Sequence, residues 1–100
     1  MKAYLIMYDI TRNKIRNDVI KALKRNGFYR IQKSVFLGGT TRDKIKELEE
    51  LFDIMLQDES AVNDKYIIVP LDASELRRLI MMNIHLDIEL YLGSKSVHFV

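Results

Sequence analysis

Apolar and polar positions follow several rhythms along this chain of 100 residues. Ala3-Tyr4-Leu5-Ile6-Met7-Tyr8 is apolar without interruption and stops at Asp9-Ile10-Thr11. A run that short does not make a buried helix, and its Tyr and Ile content favours a central strand buried on both sides. Asp9 then stands at or just inside the end of that strand, where a carboxylate is carried to the rim of the core. From Arg12 to Asn26, the residues Ile15, Val19, Ala22 and Leu23 recur at three- and four-residue spacing, which predicts a helix. Lys14, Arg16, Lys21, Lys24 and Arg25 fall on its polar face, and Gly27 fits a left-handed cap.

Phe28 to Leu37 is rich in aromatic and β-branched residues and reads as extended, with a break or bulge at Gln32-Lys33-Ser34 that splits or bends it. Gly38-Gly39 is expected to turn the chain, and Thr40 or Thr41 to cap a second helix through about Gln57, with Ile45, Leu48, Phe52 and Met55 on its buried side. A polar loop follows from Asp58 to Asn63. Tyr66 to Val69 is the next strand, and Pro70 should end its ladder for want of an amide hydrogen. Leu76, Leu79 and Ile80 mark a short helix from Ser74 to Met82. Ile84, Leu86, Ile88, Leu90 and Leu92 alternate with polar neighbours, the mark of a half-buried strand, and Val97 to Val100 can pair as a further one.

This order predicts an α+β protein, a ferredoxin-like βαββαβ sandwich with an additional C-terminal strand or hairpin, spanning residues 1–100 as a single domain. Two helices on one face of an antiparallel sheet leave the other face for a partner, which points to a homodimer. Residues 84–100, apolar on one side, are expected to complete that dimer rather than stand as an open edge.

Charge sharpens the picture. The net charge is only +2, yet residues 1–46 hold 12 Lys or Arg against three acids, and residues 47–100 hold four against 11. A basic half within one domain fits a face that binds a polyanion, because clustered Lys and Arg release counterions from a phosphate backbone. A solvated helix surface is the plainer account of the same charges. The chain has no cysteine, which excludes disulfides, thiolate zinc sites and cysteine nucleophiles. No apolar run approaches the roughly 20 residues that span a bilayer, and Met1-Lys2 leads directly into the first strand, so no membrane association and a cytoplasmic location are expected.

Familiar catalytic constellations are missing. No Gly-rich phosphate loop occurs, Ser34 has no evident His and Asp partners, and His85 and His98 fall on the polar side of terminal strands. What remains is Asp9 with nearby cations. Asp9 either caps the first helix, or holds a metal ion or acts on a substrate. One carboxylate is a poor Mg²⁺ site, but a two-fold dimer brings two copies towards one ion. Arg12, Lys14 and Arg16 would flank the position of a phosphate, and a metal-activated water could then attack a phosphodiester.

Tyr8-Asp9-Ile10, Lys14 and Arg16, Gly27, the segment Arg30-Ile31-Gln32-Lys33-Ser34-Val35-Phe36 and Val69-Pro70-Leu71 together resemble CRISPR-associated protein two, the small endoribonuclease-like family of spacer acquisition. The resemblance runs from Met1 to about Leu71. It implies a ferredoxin-like homodimer that binds RNA or double-stranded DNA, a Mg²⁺-dependent (or Mn²⁺-dependent) endonuclease activity, and a bridging role between copies of the CRISPR integrase. On this basis Asp9 is the expected catalytic residue and metal ligand, and Arg12, Lys14, Arg16, Arg30 and Lys33 are the expected nucleic-acid contacts. Two alternatives accompany this reading: a non-catalytic scaffold for the integrase, and a toxin-like ribonuclease of the virulence-associated D type. The chain departs from the family pattern in having no acid at Thr11-Arg12-Asn13, in Ile15 before Arg16, and in Leu37 where an acid is common.

Overall fold

The computed structural model describes residues 2–57 and 59–79. Four strands and three helices follow in the order β1 (Lys2–Asp9), α1 (Asn13–Arg25), β2 (Tyr29–Gln32), β3 (Val35–Thr40), α2 (Arg42–Met55), a short 3-10 turn (Glu59–Ala61), β4 (Lys65–Leu71) and α3 (Ala73–Arg77). The strands form one antiparallel sheet in the order β2-β3-β1-β4. This is the split βαβ arrangement expected from the sequence.

The two faces of the sheet are packed differently. Tyr4, Ile6 and Tyr8 of β1 and Phe36 of β3 point towards α1 and α2, where they meet Ile15, Val19, Leu23, Ile45, Leu48 and Phe52 in the main core. Leu5 and Met7 face the other way and are only half-buried, so β1 is not sealed on both sides as its composition predicts. Nor is the second face entirely left for a partner. Leu76 of α3 closes over Ala3, Leu37 and Leu71 at one end of it, making a smaller second core.

Several local expectations hold. The spacing in α1 places Ile15, Val19, Ala22 and Leu23 inside, and Gly27 follows with φ +82°, a conformation that side-chain-bearing residues resist. Thr41 caps α2 by accepting the Lys44 amide at 3.2 Å. The irregularity foreseen at Gln32-Lys33-Ser34 is real: the β2–β3 register shifts between Arg30 and Gln32, and the chain reverses through Lys33 and Ser34.

Other expectations are overturned. Gly38 and Gly39 do not turn; both lie within β3, paired with Tyr4 and Ala3. A Cβ on Gly38 would stand 2.6 Å from Cγ of Phe28, so glycine there seats an aromatic ring flat on the strand. Pro70 does not end its strand. It pairs with Tyr4 on β4, an edge of the sheet among the described residues, where a missing amide hydrogen costs the ladder nothing on the outer side. α3 ends at Arg77, short of Met82, and its start is fixed by a capping box in which Asp72 and Glu75 exchange hydrogen bonds. The strands expected within 84–100, with His85 and His98, lie outside the described residues.

α2 is tied to β4 by the Tyr66 hydroxyl, which donates to Oδ1 of Asp53 at 2.6 Å. Burial, this hydrogen bond and the nearby Asp53 and Glu49 charges push the Tyr66 pKa up to about 12 from 10.0. The folded state therefore holds this proton more tightly than the unfolded chain does. Its contribution is complete below pH 10 and is lost as pH rises towards 12. Urea denaturation at pH 9 and pH 11 should show a smaller loss of stability for Tyr66→Phe than for the parent chain. An equal loss in both would remove Tyr66 as a cause.

Candidate functional site

The end of β1 places two chemistry-bearing side chains on opposite faces of the sheet, as strand alternation requires. Asp9 is the last residue of β1, is exposed, and stands opposite Lys65 of β4 on the face away from α1 and α2. It does not cap α1, whose N-cap is Arg12 with no side-chain cap hydrogen bond. Its carboxylate is thus available to an external ligand, and its exposure avoids the burial cost expected at a core rim.

Tyr8 turns inward and is 6% exposed. Its hydroxyl donates to the Lys33 carbonyl at 3.1 Å. Arg30 donates to that same oxygen through Nε at 3.1 Å and Nη2 at 2.6 Å, and its guanidinium lies 5.9 Å from the centre of the Phe36 ring. Phe36 in turn lies 6.2 Å, centroid to centroid, from Tyr8. Burial raises the Tyr8 pKa above its ordinary value, against the opposing pull of the Arg30 and Arg16 cations. The phenol stays protonated at neutral pH and works as a donor.

Arg16, half-buried near the start of α1, donates from Nη1 to the Ile10 carbonyl at 3.3 Å and from Nη2 to Oδ1 of Asn13. Arg12 and Lys14 are exposed at the same helix start. Arg16 and Arg30, 14 positions apart in the chain, therefore both act on Tyr8. Lys33 has a second part here beyond the expectation: its backbone carbonyl gathers the Tyr8 and Arg30 donors, while its side chain is exposed.

Sequence reasoning missed Tyr8 and Phe36 as members of this cluster. A signal for Tyr8 existed, since a tyrosine at an inward strand position needs a partner for its hydroxyl. A cleft of about 1100 Å³, lined by Lys2, Thr40, Arg42, Lys46, Glu49 and Pro70 among others, lies at the other end of β1, away from Asp9. No helix among the described residues is long and apolar enough to cross a membrane.

A four-stranded antiparallel sheet with split βαβ connections, ending its first strand in an exposed Asp beside a Tyr and Arg cluster, defines a small ferredoxin-like α+β protein. The chain belongs to the family described as CRISPR associated protein Cas2, whose model matches residues 1–79. Over 74 residues it is 36% identical to a CRISPR-associated endoribonuclease Cas2 of Francisella tularensis subsp. novicida, covering 74% of this chain and 72% of that one. Over 46 residues it is 46% identical to a CRISPR-associated endoribonuclease Cas2 of Pyrobaculum aerophilum, covering 46% of this chain and 50% of the relative. Its fold superposes on a crystal structure of cas2 with a TM-score of 0.62 at 21% identity, covering 99% of this chain and 97% of the other.

Proposed function

We propose that this chain is an endonuclease of CRISPR spacer acquisition that works as a homodimer, hydrolysing phosphodiester bonds in RNA or double-stranded DNA with Mg²⁺ (or Mn²⁺) held by two copies of Asp9. The observation that carries this reading is the exposed Asp9 carboxylate one residue from a tyrosine served by two guanidiniums.

The donor set fits the ion only as a pair. Among the described residues no group of three or more Asp, Glu, His or Cys could hold a metal, so one chain offers a single hard oxygen ligand from Asp9. Two-fold symmetry doubles it, and Mg²⁺ ordinarily keeps several waters in its remaining positions. When bound, the ion supplies an acidified water and stabilises charge at the scissile phosphate.

The chain's own residues supply the rest. Arg30 commits two N–H groups to the Lys33 carbonyl and keeps the others of its five for phosphate oxygens. Tyr8 fixes that carbonyl with a proton it retains, and so fixes the direction of Arg30. Arg12 and Lys14 at the start of α1 add charge where the nucleic-acid backbone would run.

Incubation of the purified protein with RNA and with duplex DNA tests this reading. Cleavage is expected in Mg²⁺, lost in chelator and regained on adding Mg²⁺ or Mn²⁺ back. Cleavage that survives chelation, or none of either substrate, would overturn it. The alternative, a non-catalytic scaffold bridging CRISPR integrase copies on DNA, draws on the exposed Lys14, Lys21, Lys24 and Arg25 along α1. It predicts salt-sensitive duplex binding without cleavage.

A further inference from the structure

The loop leaving β1 is held from two directions. On the helix side Arg16 reaches back to the Ile10 carbonyl and to Asn13, contacts local to the start of α1. The other restraint comes from 53 residues further along the chain. Oδ1 of Asp64 accepts the Thr11 amide at 3.0 Å and the Thr11 hydroxyl at 2.6 Å.

Asp64 is well placed to hold this loop firmly. Its own amide donates to the Ala61 carbonyl at 2.9 Å, closing the turn that precedes β4. The next residue, Lys65, stands opposite Asp9 in the β1–β4 register. This turn carries one carboxylate oxygen to Thr11, midway between the end of β1 and the start of α1. Arg12 is extended with φ −81° and ψ 130° and gives α1 no side-chain cap, so Asp64 meets the Thr11 donors from across the fold while Arg16 holds the Ile10 carbonyl from the helix side.

The second oxygen of Asp64 is also informative. Oδ2 is buried and has no hydrogen-bond partner among the described residues. The carboxylate therefore meets the loop through Oδ1 alone.

We infer that Asp64 is a positioning residue. Through Thr11 it fixes the short step from Asp9 to Arg12 and so holds the carboxylate at the end of β1 in a set relation to the arginines of α1. It acts through Thr11 and touches no substrate. The inference rests on the proposed nuclease reading for what is positioned, but the restraint itself can be measured without activity.

The chemistry separates the useful variants. Asparagine can aim its carbonyl oxygen at both Thr11 donors, so Asp64→Asn keeps the clamp. Asp64→Ala removes it. Thr11→Val loses the hydroxyl bond and keeps the amide bond, and Thr11→Ser keeps both.

In the full chain, amide hydrogen exchange at residues 10–12 and RNA cleavage kinetics in Mg²⁺ should be measured for all four. Asp64→Ala should speed exchange at Thr11 by about tenfold or more, leave the centres of β1 and α2 unchanged, and lower kcat by about tenfold with KM unaltered, the usual scale for a group that orients a ligand. Asp64→Asn and Thr11→Ser should restore both readouts, and Thr11→Val should fall between. Unchanged exchange at Thr11 in Asp64→Ala, a rise in KM with kcat preserved, or damage in Asp64→Asn equal to that in Asp64→Ala would each overturn the inference. Should Asp64→Ala fail to fold, the Thr11→Val and Thr11→Ser pair decides it by the same readouts. If the parent chain itself cleaves nothing, the nuclease reading fails and the exchange pattern alone decides the role of Asp64.

Discussion

Asp9→Ala is expected to lower phosphodiester cleavage by on the order of 10²–10³, the scale seen when one preorganised electrostatic group is removed from a reacting centre. The argument is geometric. Asp9 is exposed at the end of β1, on the face away from the main core, and no core contact depends on it. Thermal stability should therefore change little, since exposed substitutions remote from packing usually stay within about 0.5 kcal/mol. Affinity for RNA and duplex DNA should persist or rise, because the change removes a negative charge from beside the cations. Kinetics on radiolabelled RNA, with binding measured in parallel, check all three. Parent-like cleavage by Asp9→Ala would exclude this carboxylate from the chemistry, and a lost fold would show that Asp9 is structural.

Gly38→Ala is expected to destabilise the protein by about 1–3 kcal/mol, the range for adding a methyl group to a filled core. The new Cβ would sit 2.6–2.9 Å from three atoms of the Phe28 ring, and that ring is itself 4% exposed with little room to retreat. For a domain of this size each kcal/mol lowers Tm by about 4–8 °C, so the change is visible in a simple thermal melt. The effect spreads from this contact because Phe28 joins the end of α1 to the sheet: its amide donates to the Leu23 carbonyl at 3.0 Å, and its ring rests on β3. An unaltered melting temperature would mean that the ring does not rest on Gly38.

Gly38 also illustrates where the sequence was legible and where it was not. Spacing located α1 and α2 because burial acts residue by residue along a helix, as Ile15, Val19 and Leu23 show, and short uninterrupted apolar runs located β1 and β4. A glycine pair carries two meanings, a turn or a close approach, and only the position of Phe28 selects between them. Pro70 was misread for a related reason: whether proline ends a strand depends on whether its missing donor faces a neighbour, which is a property of the assembled sheet. The half-open second face followed the same logic, since Leu5 and Met7 match their neighbours in composition but not in what covers them.

The candidate site divides in the same way. Asp9 could be singled out from an abrupt change of polarity after six apolar residues. The Tyr8 cluster could not be assembled so directly, because its partners Arg16, Arg30, Lys33 and Phe36 are scattered over a helix, two further strands and the turn between them. Lys33 enters the cluster through its backbone carbonyl, a group every residue carries and no composition reveals, while its side chain stays exposed. Asp64 lies outside every motif, and only the fold brings it to Thr11.

Tyr8 and Asp9 occupy neighbouring positions on a strand whose side chains alternate strictly between faces. Their division of labour, one inward among the arginines and one outward, is therefore fixed by parity. Deleting or duplicating a single residue in β1 would exchange the two, sending a carboxylate into the aromatic cluster and a phenol to the outer face. Homologous chains can vary the lengths of their loops, but the interval between the core residues of β1 and its terminal Asp should tolerate no insertion or deletion at all.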